Sequence, residues 1–168
     1  MGDKVLFDTN SFIAPFNQYY APDIVPSYWK QLLVSSPDIM VLDKVRDEIY
    51  RGKDELAKWL KSNINQFQVV STDDLRIIEV YGQVIQSIVD NQWYQPAAVR
   101  NWSDNRIADP WLIAAAKVYN CSVITFERSA IPTVGSPSRN PKIPDVGRNF
   151  GVHCKDLYSY MRDVRMKI

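Results

Sequence analysis

Four acidic side chains stand at places in this chain where acids can do chemistry. Asp8 closes the short apolar run Val5-Leu6-Phe7 and is followed by Thr9 and Asn10; Glu127 ends the run "SVITFE", two residues after Thr125. Asp109 precedes Pro110 in "ADPWLIAAAKVY", and Glu48 lies three residues past Val45, beside Ile49. Each also has an ordinary reading. Asp8 suits a strand end bonding a turn, and Asp109 suits a helix N-cap ahead of a proline. Glu48 and Glu127 suit solvated helix and loop positions. Gathered together, however, the carboxylates would repel one another and hold raised pKa values unless a cation neutralised them. Hard oxygen donors of this kind select Mg²⁺ or Mn²⁺, with Asp8 a direct ligand and Thr9, Asn10 and Thr125 orienting carboxylates or waters.

The elements that must position these acids are legible as alternating patterns. Apolar runs of strand length fall at residues 4–7, 39–42, 67–70, 122–126 and 151–154. Between them the helical period recurs at Val45, Ile49, Leu56, Leu60 and Ile64, interrupted by Gly52, which is expected to split the segment. It recurs at Leu75, Ile78, Tyr81, Ile85 and Ile88, at Leu112, Ala115, Ala116 and Tyr119, and at Leu157, Met161 and Val164. Shorter helices are expected over 11–17 and, opened by Pro26, over 27–34. Alternating strands and helices predict an α/β fold: a central, mostly parallel sheet of about 4–5 strands flanked by helices in three layers. In such a sheet ligands bind beyond the carboxyl ends of the strands, where three of the four acids would be gathered.

The chain has 168 residues, 46% of them hydrophobic and 12% aromatic, which suits one globular domain with a sizeable core. No stretch approaches the roughly 18 unbroken apolar residues of a membrane span. The opening lacks the layout of a secretory signal, and Met1-Gly2 is discounted as a myristoylation start because Asn10 and its neighbours read as folded. Cys121 and Cys154 are too few for a disulfide framework or thiolate metal site, so a cytoplasmic location is the default. Net charge is +1, but residues 1–127 carry 12 Lys/Arg against 16 Asp/Glu, and residues 128–168 carry 8 against 3. Residues 128–150 form a long Pro/Gly-rich basic loop holding Arg128, Arg139, Lys142 and Arg148, with Asp145 its only acid. A connection of that length suggests function or disorder.

Several chemistries lack their residues. His153 is the only histidine, which leaves no His-rich zinc site, and it reads as a structural residue in the last strand. No G-x-S-x-G elbow, G-x-G-x-x-G fingerprint or P-loop motif is present. Aspartate-based phosphotransfer would want D-x-D-x-T, whereas Asn10 and Phe12 take the later two places.

The segments "VLFDTNSFI", "DKVRDEI", "ADPWLIAAAKVYNCSVITFE" and "KIPDVGRNFGV" together resemble a PIN-domain protein, of an uncharacterised PIN-like branch related to VapC-type toxin ribonucleases. The resemblance runs from Val5 to the final helix. It implies a single PIN-like domain over 1–168 and a divalent-metal-dependent endoribonuclease, the toxin of a toxin–antitoxin pair. Its implied metal-binding and catalytic set is Asp8, Glu48, Asp109 and Glu127, with Glu48 at a second ion or orienting the attacking water. Asn10 matches the family's asparagine, and Thr125-Phe126-Glu127 matches its Thr-x-Asp with Glu in place of Asp. Asp145 and Asp104 are candidate supplements, Asp104 reading better as a loop or cap residue. Arg128, Arg139, Lys142 and Arg148 would meet RNA phosphates, and Tyr19, Tyr20, Tyr94 and Trp102 are candidates to stack on unpaired bases. The implied partners are an RNA substrate, a cognate antitoxin and a second copy of the chain, with no membrane. The rival reading is a PIN-like scaffold that binds RNA or protein without turnover.

Overall fold

The computed structural model describes residues 3–168, so the Met1-Gly2 start lies outside the described residues. Five parallel strands, β1 (Val5–Phe7), β2 (Ile39–Leu42), β3 (Gln68–Val70), β4 (Ser122–Ile124) and β5 (Cys154–Lys155), form one sheet in the order β3-β2-β1-β4-β5. β1 and β2 are buried along their whole length, as expected of parallel strands covered on both faces. The strand order reverses at the β1–β4 pair. A crevice beyond the carboxyl ends of strands at such a switch point is where ligands bind in open α/β sheets.

Helices connect and flank the strands. α1 (Asn10–Ala14) and α2 (Pro26–Ser35) lie between β1 and β2; α3 (Asp43–Gly52) and α4 (Glu55–Asn63) lie between β2 and β3. Gly52 ends α3 and Lys53 turns left-handed at φ 53°, so the expected split of this segment is found. Asp54 caps α4, accepting a 2.9 Å hydrogen bond from the Ala57 amide. α5 (Leu75–Val89), α6 (Pro96–Trp102) and α7 (Asp109–Tyr119) precede β4; α8 (Ile143–Asn149) and α9 (Leu157–Asp163) bracket β5. α7 packs against α5 and touches both β1 and β4, and Pro110 through Ala116 are all buried.

Several expectations are corrected. The helix expected over 11–17 stops at Ala14 and widens into a π turn over Pro15–Tyr19, with the Tyr20 amide reaching back five residues to the Pro15 carbonyl at 2.7 Å. Pro15 has no amide hydrogen to continue the α pattern, and the looser turn accommodates that loss. α5 exists as expected, and Tyr81, Ile85 and Ile88 of its expected stripe pack on the core, but Leu75 and Ile78 do not. Ile77, Val84 and Ile88 face the core, with Tyr81 stacked on Trp111 at 3.8 Å, whereas Leu75 is 80% exposed and Ile78 is also exposed. Positions 77 and 84 fit the helical period as well as 75 and 78 do, so periodicity alone does not choose between them.

The last strand begins at Cys154 rather than at residue 151, because Gly151 at φ +69° is still turning the chain out of α8. His153 is exposed, and only its backbone is structural, its carbonyl accepting from the Val123 amide. Residues 143–149 of the expected loop are helical, with Pro144 in the first turn of α8. The remainder is tied down: the Gln95 amide donates to the Ser138 carbonyl, the Ser138 amide to the Trp93 carbonyl, and Arg139 Nε to Gln95 Oε1.

The corrected face of α5 gives the first test. Ile77→Ala should cost about 2–5 kcal/mol in urea denaturation, the usual cost of emptying a core site. Leu75→Ala should stay within about 0.5 kcal/mol of the parent.

Candidate active site

The register of β1 and β4 builds the centre of the site. Phe7 pairs with Ile124, which makes Asp8 and Thr125 neighbours one step past the strands. The Asp8 amide donates to the Ile124 carbonyl at 3.0 Å, and the Thr125 hydroxyl donates to Asp8 Oδ2 at 2.9 Å. Ser11, which the sequence reading passed over, donates its hydroxyl to the same Ile124 carbonyl at 2.8 Å and holds α1 against the end of β4. Nothing in its surroundings marks Ser11 beforehand except its place three residues after Asp8.

Asp8, Glu48, Asp109 and Glu127 line one cavity of about 220 Å³, together with Thr9 and Asn10. Ile13, Ile107 and Ala108 supply its apolar wall. Asp8 is almost fully buried and Asp109 mostly so, while Glu48 stands exposed at the mouth. Burial raises the Asp8 carboxyl to about 6, with the charges of Glu127 and Glu48 adding to the rise and the Thr125 hydrogen bond opposing it. Burial likewise raises Asp109 to about 7, helped by Asp8, Glu127 and Glu48 and opposed by Lys142. Two acids thus strain against ionisation at the same place.

Asp109 reaches this place by a different local route from the one expected. The N-cap of α7 is Ala108, whose carbonyl accepts from the Leu112 amide, and Asp109 makes no side-chain capping bond. The helix begins one residue earlier than the Asp-Pro pair suggests, which frees the Asp109 carboxylate for the cavity. Glu48, on the second turn of α3, accepts a 2.7 Å hydrogen bond from the Thr9 hydroxyl. Glu127 turns partly away. Lys142 Nζ donates to its Oε1 at 3.1 Å and the Ile143 amide to its Oε2 at 2.8 Å, while its own amide donates to Thr125 Oγ1.

The other candidates separate from the cavity. The Asp104 carboxylate binds the Arg106 amide and guanidinium, which hold it at about 2 in a loop role. Asp145 does not supplement the acids, because the Ser129 hydroxyl and the Ala130 amide occupy its carboxylate. Of the basic residues, Lys142 meets Glu127, and Arg128 follows it in the chain. Arg139 is engaged by Gln95, and Arg148 is exposed in the last turn of α8. Trp102 is buried in the core, and Tyr20 stacks on Tyr28 at 4.4 Å, so neither offers a free platform. Tyr94 is half-buried and bridges to Ser138. Tyr19 alone of the four is exposed.

The donor set suits a hard divalent cation: carboxylate oxygens held beside an apolar wall, with raised pKa values that a positive charge would relieve. Among the described residues no three acid, His or Cys side chains converge at metal-ligating distance. The reason is visible in the bonds above, since Thr9 draws on Glu48 and Lys142 with α8 draws on Glu127.

This is a three-layer α/β protein of PIN-like fold with an acidic cavity at its switch point. A chain of a solved complex, VapBC2 from Rickettsia felis bound to a DNA fragment from its promoter, superimposes with a TM-score of 0.55 at 14% identity, covering 90% of this chain and 97% of that one. The chain belongs to the family described as a domain of unknown function, DUF4411, which it matches over residues 5–168. No curated protein matches it.

The raised acids fix the sign of the pH dependence. The folded state holds protons on Asp8 and Asp109 that the unfolded chain releases near pH 4, so stability is lost as pH rises from about 4 through 7. Urea melts in chelator-containing buffer should show a fall on the order of 5 kcal/mol over that window, and Asp109→Asn should remove roughly half of it, the Asp8 share remaining.

Proposed function

We propose that the protein is a divalent-metal-dependent ribonuclease that hydrolyses RNA phosphodiester bonds, acting as the toxin of a toxin–antitoxin pair. The carrying observation is the single cavity into which β1, α3, α7 and the end of β4 each deliver one carboxylate. The PIN-like fold, the sequence resemblance to VapC-type toxins and the likeness to a chain of a VapBC2 complex support the reading.

Asp8, Asp109 and Glu127 would hold Mg²⁺ or Mn²⁺, with Glu48 beside them. The bound ion would supply an activated water and charge relief at the phosphoryl oxygens, which needs no histidine. The chain's own groups do the positioning. Thr125 fixes the orientation of Asp8, and Thr9 fixes that of Glu48 at the mouth, where it would orient the attacking water. Glu in place of Asp at position 127 adds the reach that lets the carboxylate span to Lys142 and to the first amide of α8. Lys142 then stands ready to meet a phosphate once that carboxylate turns inward. A cognate antitoxin, a second copy of the chain and a cytoplasmic setting follow from the same resemblance. Among the described residues no helix is long and apolar enough to cross a membrane.

The engagement of Glu127 by Lys142 and Ile143 favours a second reading, a scaffold that binds RNA or a protein partner without turnover. Cleavage of a labelled RNA in Mg²⁺ or Mn²⁺ separates the two. Under the nuclease reading, Asp8→Asn and Asp109→Asn lose at least about 100-fold in rate, the scale of a removed electrostatic group in an active site. Equal rates in wild type and Asp8→Asn would reject it. The same ions should raise the thermal midpoint of wild type and leave that of Asp8→Asn unmoved.

A further inference from the structure

A second cavity, of about 350 Å³, opens on the other side of Glu127, which lines both. Its size falls within the roughly 300–1,000 Å³ of small-ligand sites. Phe126, Arg128 and Tyr158 contribute to it. Tyr19 lies face to face with Phe126 at 5.8 Å and meets Tyr158 edge-on at 6.4 Å. Both tyrosines keep much of their rings in solvent, Tyr19 at 47% exposure and Tyr158 at 39%. The π turn over Pro15–Tyr19 carries Tyr19 here, and turns of this rare kind occur frequently at functional sites.

The charges of this cavity are arranged unequally. Its carboxylates are already in use: Glu127 bonds Lys142 and Ile143, and Asp156 caps α9 by accepting from the Ser159 amide. Lys155 is paired with Asp163. Arg128 is exposed and makes no ion pair or hydrogen bond among the described residues. What remains for a ligand is therefore one free guanidinium beside exposed aromatic rings, next door to the acids.

We propose that this cavity is the subsite for an unpaired nucleotide adjoining the scissile phosphate, its base stacked on the Tyr19–Tyr158 rim and its phosphate met by Arg128. The assignment rests on the nuclease reading and selects single-stranded over duplex substrate, because a paired base has no free face to offer.

Binding of a fluorophore-labelled unstructured oligoribonucleotide tests this by anisotropy, in Mg²⁺, on Asp8→Asn protein so that the probe stays intact. Adding Tyr19→Ala should weaken binding roughly tenfold or more, and Tyr19→Phe should restore it, which separates ring stacking from a folding defect. Arg128→Ala should lower the salt dependence by about one phosphate contact. A hairpin duplex of the same sequence should bind more weakly than the single strand. Unchanged affinity in Tyr19→Ala, or equal binding of duplex and single strand, would each overturn the subsite. Cleavage by wild type against Asp8→Asn reports separately on the nuclease reading: Tyr19-dependent binding with cleavage supports the subsite, and Tyr19-dependent binding without cleavage overturns its place beside a scissile phosphate while leaving a site for an unpaired nucleotide.

Discussion

The parallel pairing of β1 with β4 is the constraint from which the site follows. Once Phe7 sits opposite Ile124, the next residue on each strand emerges at the same edge, and a hydroxyl meets a carboxylate. A slip of one residue would move every side chain of β1 to the opposite face and take Asp8 with it. The apolar side chains of both strands, all of them buried, oppose that slip. The core thus specifies the position of an acid whose own burial is unfavourable.

That unfavourable burial is also where the structure departs from one optimised for stability alone. Asp8 and Asp109 enter the cavity from different elements; burial raises both, Glu127 and Glu48 add to each rise, and the charge of Asp8 raises Asp109 further. Strongly perturbed carboxylates in a cleft are a mark of functional sites, because a fold gains nothing structurally from holding them. The hydrogen bonds around them each answer part of the cost. Thr125 serves Asp8, Thr9 serves Glu48, and Lys142 with the start of α8 serves Glu127. Asp109 alone has no such donor, and its shift is the larger of the two.

The sequence made the strands and the acids legible because both depend on short-range pattern. Apolar runs mark buried parallel strands, and polar residues that end such runs mark the sheet's functional edge. Gly52 announced its helix break for the same reason. What it did not specify depends on contacts distant in the chain. Leu75 and Ile78 satisfy helical spacing as well as Ile77 and Val84 do, and only the packing of α5 against α7 reveals which of them are inside. Asp109 reads as a cap because Asp-Pro often is one, and only the capping of α7 by Ala108 shows its carboxylate free. Trp102 and Tyr20 read as candidate platforms like Tyr19, yet packing buries the first and covers the second. Residues 128–150 look unstructured in composition, although their prolines include one that opens α8.

The bonds that engage Glu127 have a topological effect. Residues 127 and 142–143 are clasped together, and Asp145, two residues past that clasp, grips Ser129 and Ala130, so the neck of the intervening segment is fastened twice. Residues 131–136, between that neck and the bonds of Ser138 and Arg139 to Trp93 and Gln95, form a tip whose length is decoupled from the acids. Closing a longer segment costs little extra entropy, only about 0.6 kcal/mol for each doubling. The tip can therefore be lengthened, shortened or rewritten to suit a new partner while the carboxylate at its root stays where the sheet put it.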